Sequence, residues 1–108
     1  MKLLHHDFKH GLSNRSIRII QSILEPYQDI IEEVKVFGSR ANDNYKEYSD
    51  LDLVIFGNLN EKDEDRLWTL FSESSLAIKV DVKIYQNITY KALKDHIDQN
   101  AKTLLTKP

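Results

Sequence analysis

Two aspartates one residue apart, Asp50 and Asp52, open an apolar run, Leu53-Val54-Ile55-Phe56. On a β-strand, side chains alternate faces, so these two carboxylates point the same way with Cα atoms about 6.5 Å apart. Held that close, each raises the other's pKa unless a cation lies between them. Mg²⁺ suits such a pair, because it takes carboxylate oxygens and leaves positions for phosphate oxygens and water. Taken alone, the pair reads more readily as two strand-end residues closing a turn. A third acid, Asp81 in Val80-Asp81-Val82, changes the balance. An aspartate inside a strand is disfavoured and costly if buried. Lys79 and Lys83 share its expected face, so a solvated charged row on an edge strand is the plain alternative. If this strand lies beside the Asp52 strand, three carboxylates converge. They could then hold two Mg²⁺ ions roughly 4 Å apart, the spacing used in phosphoryl chemistry.

The second candidate element is Gly38-Ser39-Arg40-Ala41, directly after the apolar stretch Val34–Phe37. A strand that turns through Gly-Ser into a short helix aims backbone N–H groups and a hydroxyl at an anion. Arg40 adds a forked, permanent cation. By itself this could be any strand-to-helix turn.

These residues need a frame. Ser13 reads as the N-cap of a helix whose stripe is Ile17, Ile20, Ile23 and Leu24, with Pro26 ending it near Glu25. Val34–Phe37, Leu51–Phe56 and Ile78–Tyr85 read as strands. Asn60 caps a helix running to about Glu73, with Leu67, Trp68, Leu70 and Phe71 inward. Thr89 caps a last helix on which Tyr90, Leu93, Ile97, Ala101 and Leu104 recur at helical spacing. Strands alternating with helices make an α/β (α+β) arrangement, with a small mixed sheet packed against helices. The Leu51–Phe56 strand, apolar almost throughout, is expected at the centre of that sheet.

With 108 residues, one domain spanning 1–108 is expected, with a core at about 11–103 and residues 1–10 as a flexible lead-in. The chain has no cysteine, which removes disulfides, thiolate zinc sites and cysteine nucleophiles. The polar start lacks the apolar core of a signal peptide, and no apolar run could span a bilayer. A cytoplasmic location without membrane contact is therefore expected. The net charge of −2 argues against long nucleic acid as a partner, since backbone binders carry a basic excess. None of the four histidines falls at a metal-ligand spacing, and His5, His6 and His96 are expected on the polar surface. Tyr45 and Tyr48 are expected half-buried in the loop, and Tyr90 in the core.

Gly38-Ser39-Arg40-Ala41, then seven residues, then Ser49-Asp50-Leu51-Asp52-Leu53, is a specific combination. It resembles the signature of the nucleotidyltransferases related to DNA polymerase β. The similarity is greatest to their minimal, single-domain branch, and with Gly11-Leu12-Ser13 and Asp81 it covers about residues 11–103. The resemblance implies a polymerase β palm-like fold. It implies that Asp50 and Asp52 bind both metals and that Asp81 is the third ligand, placed to orient or deprotonate the acceptor. It further implies that Gly38 and Ser39 form the triphosphate turn, with Arg40 and Ser49 as phosphate-side helpers. The reaction implied is attack of a hydroxyl on the α-phosphorus of ATP, with pyrophosphate leaving. Minimal members are commonly paired with a helical HEPN-type toxin and act as antitoxins by transferring AMP onto its tyrosine. Two alternatives stay open: an antitoxin that neutralises its partner by binding alone, and a small-molecule transferase of the antibiotic-modifying kind. One departure stands out. Asn42-Asp43-Asn44 occupy the place where many relatives carry a glycine, so a stiffer, more acidic loop and weaker nucleotide binding are expected.

Overall fold

The computed structural model describes residues 3–108; residues 1 and 2, part of the expected lead-in, lie outside the described residues. Helix α1 (Asn14–Leu24) begins at Ser13, whose hydroxyl accepts from the Ser16 N–H, and passes into a 3₁₀ turn at Glu25–Tyr27 that contains Pro26. Ile17, Ile20 and Leu24 form its buried stripe. Helix α2 (Glu61–Ser72) starts in a capping box. The Asn60 side chain accepts from the Asp63 N–H while the Asp63 carboxylate accepts from the Asn60 N–H. That exchange satisfies two of the amide groups a helix start leaves without partners.

Among the described residues, five strands form one sheet: β1 (Leu4–His5), β2 (Ile31–Phe37), β3 (Leu51–Gly57), β4 (Val80–Ile84) and β5 (Lys102–Thr106), in the order β1-β5-β2-β3-β4. All neighbours are antiparallel except β3 and β4, the pair joined through α2. Strand β3 is interior, flanked by β2 and β4 as its apolar sequence predicted, but it stands second from one edge, and β2 holds the centre. One face of the sheet packs on α1 and α2 through Val36, Leu53, Ile55 and Val82. The opposite face carries a smaller cluster, Phe37 and Val54 against Ile97 of α3 (Lys91–Asn100).

Three expectations need correction. The last helix does not continue to Leu104: it stops at Asn100, Ala101 is extended at φ −70° and ψ 145°, and the chain returns as β5 between β1 and β2. The helical spacing of Leu104 was coincidental; its burial comes from the sheet. The lead-in expected to be flexible takes part in that sheet, with Leu4 opposite Thr106 and His5 opposite Leu105. Tyr90, expected in the core, is instead 70 % exposed as the residue preceding α3.

Candidate active site

The register of the sheet assembles the acids. Asp52 of β3 lies directly opposite Asp81 of β4 in the parallel pair, and opposite Phe37 of β2 on its other side. Residues in register share a face, and neighbouring strands lie about 4.8 Å apart. Phe37 belongs to the cluster beneath α3, so this acidic row lies on the α3 face. It sits at the start of both strands, next to the Phe37 and Val54 side chains that Ile97 covers. Asp50 is the exposed residue just before β3, where the Leu51 N–H donates to the Lys79 carbonyl at 2.9 Å.

Electrostatics agree with that convergence. The Asp52 carboxyl is pushed above its ordinary pKa, first by burial, then by Asp81 and Asp50, with Lys83 pulling the other way. Asp81 is met by Lys83, whose ammonium donates to both carboxylate oxygens at 3.2 and 3.3 Å. The lysine expected as part of a solvated row thus acts as counter-ion to the third acid. A group of carboxylates whose central member resists ionisation has the donor chemistry a hard divalent cation takes.

Gly38 closes the site from the β2 side. Its φ is +74°, and a Cβ built on it would lie 2.5 Å from Asp52 Oδ2. Only glycine meets both demands, the left-handed backbone and the close approach of a carboxylate. The chain then makes a 3₁₀ turn, Gly38–Arg40, in which the Gly38 carbonyl accepts from Ala41 and the Ser39 carbonyl from Asn42 and Asn44. The first N–H groups of such a turn have no partner within it, which is what an anion site requires.

Arg40 and Ser49 lie differently from phosphate-side helpers. Arg40 is buried, and its guanidinium donates to the carbonyls of His10, Glu47 and Ser49. The Ser49 hydroxyl accepts from the Lys46 N–H at 2.8 Å. Both hold the loop together. Half-buried Tyr45 stacks on Arg40, while Tyr48 is 73 % exposed. The acidic departure in the loop also has a local solution. Asp43 has φ 57°, the left-handed conformation a glycine would take there, and its carboxylate pairs with Lys9 at 3.2 Å.

The sequence reading missed the role of the histidines. His5 and His10 meet through their Nε2 atoms at 3.0 Å, and with Asp7 they form a trio whose ligand atoms lie within 4.8 Å of one another. The trio is a poor metal site. The Leu12 N–H donates to His10 Nδ1 at 2.9 Å, so neutral His10 carries its proton on Nε2 and directs it at His5. Burial, together with His5, holds His10 below the usual histidine range, partly offset by Asp7. Gly11, next to His10, has φ +75° and lies against Arg40 and Tyr45.

Residues 18–108 match the Polymerase beta, Nucleotidyltransferase family, a span that contains Asp50, Asp52, Asp81 and the Gly38–Arg40 turn. The chain belongs to that family. Over 75 residues it is 37 % identical to the probable protein adenylyltransferase MntA of Haemophilus influenzae, an alignment covering 66 % of this chain and 63 % of that protein. The family fold is also seen in a crystal structure of a toxin–antitoxin with AMP-PNP: TM-score 0.66 and 18 % identity, covering 81 % of this chain and 70 % of the other. A complex of the tri-AMPylated Shewanella oneidensis HEPN toxin with its MNT antitoxin contains a similar chain, at TM-score 0.58 and 20 % identity, covering 81 % and 66 %. Within the matched span, the strand pair β3–β4 carries Asp52 and Asp81, and the turn after β2 lies against Asp52.

Proposed function

We propose that this nucleotidyltransferase-family chain transfers AMP from ATP, with divalent metal, onto a hydroxyl of a partner protein. The partner is a helical HEPN-type toxin, the acceptor its tyrosine, and the outcome antitoxin activity. The observation that carries the reading is the Asp52–Asp81 register facing Gly38, with Asp50 adding to the same field. The names of similar proteins, an adenylyltransferase and antitoxins found with toxins, support the partner and the nucleotide.

In this reading Asp50 and Asp52 hold two Mg²⁺ ions, with Asp81 as the third ligand. Bound metal supplies charge neutralisation for the triphosphate and the developing pyrophosphate. The Gly38–Ser39 turn accepts the triphosphate without a side chain in the way. Asp81 orients the acceptor hydroxyl and takes its proton as the oxygen attacks the α-phosphorus. The bond from the α-phosphorus to the bridging oxygen breaks, and pyrophosphate leaves. No enzyme-bound covalent intermediate is required; positioning and electrostatics carry the rate. Arg40 and Ser49 hold the loop before β3 rather than the triphosphate.

The test is co-expression with the partner, followed by intact mass. The wild-type chain is expected to add one or more AMP units. Asp52→Asn is expected to cut transfer at least about 100-fold, in line with losing a few kcal/mol of transition-state stabilisation, while complex formation persists. Transfer that survives in Asp52→Asn sinks the metal assignment. A partner that is neutralised with no mass gain points to masking by contact.

A further inference from the structure

Arg40 follows the Gly38–Ser39 turn in sequence, yet its side chain turns inward. It is 1 % exposed. Nη1 donates to the His10 carbonyl at 2.9 Å, Nε and Nη2 to the Ser49 carbonyl at 3.2 and 3.0 Å, and Nη2 also to the Glu47 carbonyl at 3.2 Å. Tyr45 covers the guanidinium, 5.0 Å from its ring centroid to Cζ. Gly11 makes the room: a Cβ there would lie 2.9 Å from Nη1 and 2.2 Å from the Tyr45 ring.

We propose that Arg40 is a positioning residue: its guanidinium clamps the loop before β3 to the segment before α1, and so sets where Asp50 projects, without touching the nucleotide. This rests on the nucleotidyltransferase reading of the site. Ser49 immediately precedes Asp50, so two donors on the Ser49 carbonyl fix the direction in which the chain enters β3. The Glu47 carbonyl fixes the same loop two residues earlier. The His10 carbonyl ties both to the segment that β1 anchors in the sheet. A planar fork suits carbonyls arriving from two segments, whereas a lysine offers a point charge on a mobile stem. With its N–H groups directed at carbonyls under a tyrosine ring, the guanidinium has little left to offer a phosphate.

The experiment uses the full chain, wild type and Arg40→Lys, at a temperature where circular dichroism shows both folded. Mn²⁺ binding, followed by EPR, is expected to weaken about 10–100-fold in the variant, the usual effect of losing support behind a metal ligand. With metal saturating, the KM for ATP is expected to stay within about threefold of wild type, because no ground-state contact to the nucleotide is lost. Unchanged Mn²⁺ affinity, or a large rise in the KM for ATP with Mn²⁺ affinity intact, overturns the proposal. Should Arg40→Lys fail to fold, the wild-type protein decides alone. The Arg40 Nε–H resonance is expected to exchange slowly and stay in place on adding Mg²⁺ and AMP-PNP, and a large shift refutes the clamp. Absence of AMP transfer by the wild-type chain counts against the reaction, whereas Mn²⁺ binding reads the clamp without turnover.

Discussion

Replacing Asp52 by asparagine should move stability and metal response in opposite directions. Asp52 lies in register with Asp81, and burial and its two acidic neighbours raise its pKa. Two unit charges about 5 Å apart interact by about 3 kcal/mol at an effective dielectric near 20 and by under about 1 kcal/mol in bulk water. Asp52 is half-buried, and Lys83 offsets part of the repulsion. A net relief of about 1 kcal/mol follows, or roughly 4–8 °C in Tm for a domain of this size. The sign with pH is definite. A carboxyl whose folded pKa is raised contributes stability below its unfolded pKa, and that contribution is lost as pH rises through the folded pKa. Without metal, Asp52→Asn should therefore melt higher than wild type near neutrality, and the gap should close as pH falls below the ordinary carboxylate range. Mg²⁺ reverses the order, since an ion at about ten times its Kd adds about 1.4 kcal/mol to the form that binds it. Differential scanning fluorimetry across pH, with and without Mg²⁺, checks all of this. A variant that melts no higher than wild type without metal, yet gains equally from Mg²⁺, would refute the account of a repelling acidic cluster.

Gly38→Ala should cost about 1–2 kcal/mol for the left-handed backbone alone, and it should abolish metal binding because its Cβ meets the Asp52 carboxylate; denaturant titration and Mn²⁺ EPR test the two parts. Asp43→Gly should gain up to about 1 kcal/mol by relieving its positive φ, with little lost from the exposed pair to Lys9; a lower denaturation midpoint would count against that explanation. Asn60→Ala removes one half of the capping box and should cost about 1 kcal/mol by urea unfolding, with Mn²⁺ affinity unchanged.

Local chemistry made much of this molecule legible beforehand. Ser13 and Asn60 announce helix starts because their side chains satisfy amides that any helix leaves unpaired. The unbroken apolar run from Leu53 to Phe56 marks an interior strand, because only burial on both faces rewards it. Gly38 before Ser39, and Asp50 before Asp52, were visible as a turn and an acidic pair. What tertiary structure alone decided was partnership. Asp81 becomes a neighbour of Asp52 only because β4 pairs in parallel with β3 at that register; a shift of one residue would turn it to the other face. Arg40 reads from sequence as a cation beside an anion turn, but carbonyls from two distant segments draw it inward. Lys102–Thr106 has no strong pattern of its own, and Leu104 even keeps helical spacing with Ile97 and Ala101. It becomes a strand because β1 and β2 present hydrogen-bonding edges to it, a long-range demand that no local window of residues contains.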